Sequence, residues 1–335
     1  MQEALLQRGV FLDLETVQRG DLNLDHLERC LPAWQWHEFS EADDIPGRIA
    51  RANVVVTNKC VLSRGVLSAA PSLRLVALAA TGSNNVDLDA AAELGIAVCN
   101  IRNYASDAVA QHTITLMLNL LSGQPWYWQS VIAGEWSRAR QFCLQDRPIR
   151  QARGLSFAVI GHGVLGKATA ELARALGMNV LLAERKGVNP RSGRVRFDEA
   201  IARADVISLH CPLSEATRGL VDGEVLSRMK KEALLINTAR GEVVNESDLA
   251  DALRQGEIAG AAIDTLSQEP PPQDHVLLAH DIPNLIVTPH NAWASQTARQ
   301  AAIDQLAEVL NAFAAGKPMN LLVPPSEDSG SKPGS

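Results

Sequence analysis

Leu155-Ser156-Phe157-Ala158-Val159-Ile160-Gly161-His162-Gly163-Val164-Leu165-Gly166 is the stretch from which the fold can be read. The apolar run 155–160 has the length of a buried strand and leads directly into Gly161. Beyond Gly166, the spacing of Ala168, Leu172, Ala175 and Leu176 predicts a helix with one apolar face, stopped at Gly177. Three glycines alone carry little information, but strand, Gly-x-Gly-x-x-Gly turn and helix in this order form the fingerprint of a dinucleotide site. Gly161 permits the tight turn, Gly163 lets backbone amides approach a pyrophosphate, and Gly166 lets the helix pack closely on the strand. His162, Val164 and Leu165 occupy the remaining turn positions. The N–H groups that open the helix offer partial positive charge to the phosphates.

Downstream, further strands are predicted at 180–183, 206–209, 234–237, 261–264 and 285–288, which completes a six-stranded doubly wound sheet. The second of them runs to Glu184, 18 residues past Gly166, where an acidic side chain accepts the hydroxyls of the adenosine ribose. That points to NAD, while the adjacent Arg185 and Lys186 leave NADP open. Upstream, apolar runs at 10–12, 54–56, 73–80 and 96–99 alternate with helical patterns and predict another parallel sheet. A nearly all-apolar helix is expected from Ala105 to Leu121. Residues 122–153, rich in Trp, Gln and Arg, read as a long irregular excursion of functional or interfacial kind. The tail 324–335 reads as disordered.

With 335 residues, 46% apolar and 21% charged, the chain has ordinary globular composition and enough length for two cores. A net charge of -7 argues against a general nucleic-acid binder, which needs a basic surface. No run of 18 apolar residues and no basic-then-apolar N-terminus is present, so a soluble, unexported, cytoplasmic protein without membrane partners is expected. Five scattered cysteines, Cys30, Cys60, Cys99, Cys143 and Cys211, with no Cys-x-x-Cys pair, predict reduced thiols and no metal site.

In an open parallel sheet the ligand crevice lies beyond the carboxyl ends of the strands. Arg240, then Asp264 and Glu269, then His290 follow successive predicted strands. A cation, a carboxylate and an imidazole gathered there are what reduction of a 2-keto acid requires. The remaining histidines, His26, His37, His112, His162, His210, His275 and His280, are expected to be satisfied or solvated rather than general acids.

From the early βα units to about Val323, the chain resembles the D-isomer-specific 2-hydroxyacid dehydrogenase family. The resemblance rests on Ala80 to Asp87, the glycine turn, His210-Cys211-Pro212-Leu213 with Thr217, Asn237 to Gly241, Asp264 to Pro271, and Thr288 to Ser295. Within the family it is nearest to glycerate dehydrogenases, or hydroxypyruvate reductases, through Ala183 to Gly187 and His290 to Ser295. The resemblance implies an α/β fold in which a Rossmann doubly wound domain, 102–291, is inserted in a smaller flavodoxin-like substrate domain, 1–101 and 292–323. It implies Arg240 on the substrate carboxylate and carbonyl oxygen, His290 as acid and base, and Glu269 orienting the imidazole and favouring its charged form. Gly82 and Ser83 would bind the substrate carboxylate. His210, Pro212, Thr217, Thr238, Ala239 and Asp264 would line the cofactor, with Asp264 on the nicotinamide carboxamide.

The implied reaction is reversible NADH-dependent reduction of hydroxypyruvate or glyoxylate in a cleft between the domains, by a homodimer. Ser83 and Asn291 depart from the family's usual threonine and apolar residue, off the proton and hydride paths. Rival readings are a relative acting on 3-phosphoglycerate, formate or phosphite, and a nucleotide-sensing corepressor. The short C-terminal segment weakens the first and last of these, and Glu269, where formate dehydrogenases carry glutamine, weakens the formate reading.

Overall fold

The computed structural model describes residues 6–325. Most of the expected tail, residues 326–335, lies outside the described residues. Twelve strands form in chain order: β1 (Arg8–Phe11), β2 (Ala33–Trp36), β3 (Val54–Thr57), β4 (Leu75–Leu78), β5 (Ala97–Asn100), β6 (Ser156–Ile160), β7 (Asn179–Ala183), β8 (Val206–Leu209), β9 (Leu234–Asn237), β10 (Gly260–Ile263), β11 (Leu285–Val287) and β12 (Leu321–Val323). The described residues divide into two compact units, residues 6–105 with 294–325, and residues 106–293.

The first unit holds the sheet β12-β5-β4-β3-β1-β2, parallel except for β12, which pairs antiparallel with β5. Every residue of β3, β4 and β5 is buried, as expected for parallel strands covered on both faces. β2 and β12, which were not among the expected strands, are the two edges of this sheet, and each has at most one fully buried residue. Beyond β4, the turn holding Gly82 and Ser83 is fixed by its flanks. Thr81 Oγ1 donates to the Ile101 carbonyl at 2.9 Å, and Asn100 Nδ2 donates to the Thr81 carbonyl at 2.7 Å.

The second unit holds an all-parallel sheet in the order β11-β10-β9-β8-β6-β7. The strand order reverses between β6 and β8, which is the switch point where such sheets open a crevice. One face is covered by Phe197, Ile201, Leu226, Leu249 and Leu253 from the helices that follow β7, β8 and β9. The other is covered by Ile114, Met117 and Leu121 of the Ser106–Ser122 helix together with Ala170 and Ala173.

Two expectations about the helices are corrected. The Val164–Ala175 helix buries Gly166, Thr169, Ala170 and Ala173, whereas Leu172 and Ala175 are exposed. Small side chains face inward because the Ser106–Ser122 helix packs directly against this one. The expected excursion is not irregular throughout: it forms the helices Gln124–Ile132 and Glu135–Arg138, each preceded by a left-handed glycine, Gly123 and Gly134. Neither helix buries a residue, so neither shows the one-sided apolar period by which a helix is recognised.

Candidate active site

The strands of the second unit end in register. Ala183, Ile160, Leu209, Asn237, Ile263 and Val287 stand in one row across the sheet. Glu184, Gly161, His210, Thr238, Asp264 and Thr288 therefore all stand one residue beyond it. A flat row of strand ends converts positions scattered over a hundred residues into neighbours along one crest.

On the β6 part of this crest, Gly161 has a φ of 94°, and a Cβ there would lie 2.6 Å from the Cys211 amide nitrogen. A Cβ on Gly166 would lie 2.1 Å from the Gly161 carbonyl oxygen. Neither position can carry a side chain without moving backbone. Gly163 differs, because a Cβ there would meet nothing within 4 Å. It precedes the Val164–Ala175 helix without any side-chain cap, so the opening N–H groups are not claimed by a neighbouring side chain. Val164 is about half exposed beside it. His162 Nε2 and His210 Nδ1 are buried with no hydrogen-bond partner, where satisfied or solvated rings are expected. His210 Nε2 lies 2.8 Å from Ser208 Oγ, and burial pushes its imidazole down to about 4. Thr217 closes the following loop, its Oγ1 donating to the Pro212 carbonyl at 2.6 Å. An open glycine, an uncapped helix start and orphaned ring nitrogens at one switch point fit a dinucleotide pyrophosphate.

On the far side of the crest, His290 Nδ1 donates to Glu269 Oε2 at 2.6 Å, leaving Nε2 as the ring nitrogen that can exchange a proton. The other carboxylate oxygen, Oε1, accepts the Leu266 amide at 2.9 Å, so Glu269 is held at both ends. Its loop is tied to the Glu246–Gln255 helix, where Glu246 accepts the Ser267 amide at 2.7 Å, the Ser267 hydroxyl at 2.5 Å and His275 Nε2 at 3.2 Å. Arg240 follows β9, exposed, with Nη1 donating to the Ala239 carbonyl at 2.7 Å. Buried Asn237 shapes that turn by accepting the Ala239 amide and donating to the Arg240 carbonyl. A Cβ on Gly241 would lie 2.0 Å from the Leu266 carbonyl carbon, so the Arg240 turn and the Glu269 loop touch backbone to backbone.

Asp264 is 1% exposed. It accepts Thr288 Oγ1 at 2.5 Å and the amides of Asn291 and Ala292, each at 3.1 Å. Burial pushes its carboxyl up, but hydrogen bonds from His112, Thr288 and the Ala292 amide outweigh this and hold it below the usual range. Thr288 spends its proton on Asp264, so His112 Nε2 donates to Thr288 Oγ1 across 3.1 Å. His112 lies 3.4 Å from Asp264 Oδ1 and belongs to the crest, though nothing in the period of its apolar helix marked it. Thr238 joins the same helix through Thr113, hydroxyl to hydroxyl at 3.0 Å, and Ala239 is buried beside it.

Glu184, at the end of β7, is 1% exposed in its side chain and points into a salt bridge. Arg191 donates to it through Nε at 2.6 Å and Nη2 at 2.8 Å, and the Arg185 amide donates at 3.1 Å. These hydrogen bonds, the Arg191 pair foremost, overcome burial and hold the carboxyl down at about 2. All five cysteines are free, no cluster of metal-ligating side chains occurs among the described residues, and no helix there is long and apolar enough to cross a membrane.

Residues 114–292 match the family described as D-isomer specific 2-hydroxyacid dehydrogenase, NAD binding domain. The chain is similar to a glycerate dehydrogenase of Methylorubrum extorquens, with 40% identity across 95% of this chain and 99% of that one. It is similar to a hydroxypyruvate reductase of Blautia hydrogenotrophica, with 35% identity across 93% of this chain and 98% of the relative. A solved NADPH-dependent glyoxylate/hydroxypyruvate reductase from Sinorhizobium meliloti, in complex with NADP and malonate, matches with a TM-score of 0.78 and 27% identity, over 96% of this chain and 99% of that one.

Proposed function

The chain belongs to the D-isomer specific 2-hydroxyacid dehydrogenases, and from that membership we propose that it reduces hydroxypyruvate or glyoxylate reversibly to D-glycerate or glycolate with NADH. The observation that carries this reading is the 2.6 Å pair between His290 and Glu269, on a loop in backbone contact with the Arg240 turn. A bound nicotinamide supplies the hydride. Arg240, a planar fork of donors, grips the substrate carboxylate and polarises the carbonyl oxygen. His290 delivers a proton from Nε2 to that oxygen and takes it back in the oxidative direction. Glu269 is the positioning residue, because it fixes which ring nitrogen carries the exchangeable proton. Gly82 and Ser83 would offer amides to the substrate carboxylate, and Asp264, whose Oδ2 takes the Ala292 amide while Thr288 and Asn291 bond Oδ1, would accept from the nicotinamide carboxamide through Oδ2.

A homodimer accompanies this reading. Trp128, Val131, Ile132, Trp136 and Phe142 expose large apolar surface on the segment that buries nothing of its own, which suits a second copy of the chain. A cytoplasmic setting agrees with five free thiols. The test is a panel of 2-keto acids followed by loss of reduced nicotinamide absorbance. Turnover of hydroxypyruvate or glyoxylate above other keto acids is expected, and no turnover with any of the panel would overturn the reading.

A further inference from the structure

The carboxylate at the end of the second strand of such a sheet normally faces the ribose hydroxyls and repels a 2′-phosphate. In this chain Glu184 is otherwise engaged. Both its oxygens are taken by the Arg191 fork, and Oε1 also accepts the Arg185 amide. Arg194 Nε stands 3.8 Å from the same carboxylate, and its charge also bears on His162 in the glycine turn. A side chain thus neutralised and saturated can neither repel a phosphate strongly nor accept much from a hydroxyl.

Around it the balance of charge reverses. Between residues 184 and 196, Glu184 alone faces five cations, Arg185, Lys186, Arg191, Arg194 and Arg196, in a chain whose net charge is -7. Asp198 and Glu199, the next carboxylates, are engaged by Arg228 and Arg203. Arg185 and Arg191 are exposed, and Lys186 lies over the Phe197 ring at 5.8 Å.

We propose that Arg191 selects the cofactor: by closing a two-pronged salt bridge on Glu184 it withdraws the discriminating carboxylate, so that the chain binds the 2′-phosphorylated dinucleotide NADP(H) as well as NAD(H). The inference rests on the dinucleotide site of the reading above but not on its keto acid. Nothing covalent is involved, and the 2′-phosphate is recognised as a dianion by guanidinium and ammonium groups already gathered at this corner.

Calorimetric titration of the full chain with 5′-AMP and with adenosine 2′,5′-bisphosphate tests it without substrate or turnover. The wild type is expected to bind the bisphosphate at least as tightly as AMP. Arg191→Gln, at a side chain two-thirds exposed, should weaken the bisphosphate at least tenfold and leave AMP within threefold. Adding Glu184→Gln to that variant should recover most of the loss, since the unmasked carboxylate is then gone. Wild-type binding of the bisphosphate more than tenfold weaker than AMP would overturn the proposal, as would equal weakening of both nucleotides in Arg191→Gln or no recovery in the double variant. Failure of every keto acid alongside the expected nucleotide pattern would reject the substrate reading and leave the selector standing.

Discussion

Glu269→Gln changes one atom type in the site and separates two tasks of one side chain. The carboxylate takes a proton from neither neighbour: Oε2 accepts from His290 Nδ1 at 2.6 Å and Oε1 accepts from the Leu266 amide at 2.9 Å. Glutamine has one acceptor oxygen and one NH2. If the oxygen stays with Leu266, the NH2 faces His290 Nδ1 and forces the ring to accept there, which puts the wrong nitrogen in charge of the exchangeable proton. If the oxygen turns to His290, the Leu266 amide loses its acceptor and the loop loosens. Either way a charge-assisted hydrogen bond, worth about 1.5–3 kcal/mol, is lost while His290 is protonated. That converts to a fall in kcat of about ten- to a hundredfold. Steady-state reduction of hydroxypyruvate would show the fall in kcat with KM changed less than threefold, because Arg240 is untouched. Proton transfer should also become more rate-limiting, so the solvent deuterium effect on kcat should grow. A variant that retains its melting temperature and more than half the wild-type kcat would refute the role given to Glu269.

Gly161→Ala should cost about 2–4 kcal/mol in urea unfolding, because its Cβ meets the Cys211 backbone at 2.6 Å and its φ is 94°. Gly163→Ala should leave stability within about 0.5 kcal/mol but weaken dinucleotide binding, since its methyl projects into open space over the helix start; equal effects of the two in either assay would contradict the division. Arg240→Lys should lower kcat/KM for the keto acid by about ten- to a hundredfold through loss of bidentate binding, with no change in melting temperature, and a KM left unaltered would count against it. His210, held near 4 by burial, stays neutral in the fold while the unfolded chain takes up a proton below about 6.5. Stability it contributes is therefore complete above pH 6.5 and lost as pH falls toward 4, so from pH 7 to 4.5 the wild type should lose about 2–3 kcal/mol more than His210→Gln. Parallel urea curves for the two proteins at both pH values would exclude that linkage.

What the sequence made legible was whatever is decided locally. The glycine turn follows from sterics within a dozen residues, and β8 and β9 span the expected 206–209 and 234–237. Arg240, Asp264, Glu269 and His290 could be placed because each lies just past such a run. Features that depend on a partner distant in sequence were not visible. His112 reaches Thr288 from 176 residues away, on a helix whose apolar residues surround it on most sides. The inward face of the Val164–Ala175 helix was misread because close packing selected Thr169, Ala170 and Ala173, and left the larger Leu172 outside. Arg185 and Lys186 are the cations adjacent to Glu184 in sequence, whereas Arg191, seven residues on, is the side chain that returns to it.

Gly241 gives the chemistry an inheritance rule. With no room for a Cβ between it and the Leu266–Ser267 backbone, the turn that presents the anion-gripping guanidinium and the loop that steers the imidazole behave as meshed gears. Loop grafting aimed at a new keto acid cannot retune one without displacing the other. A donor sequence would have to bring residues 237–241 and 264–275 together, as one cassette.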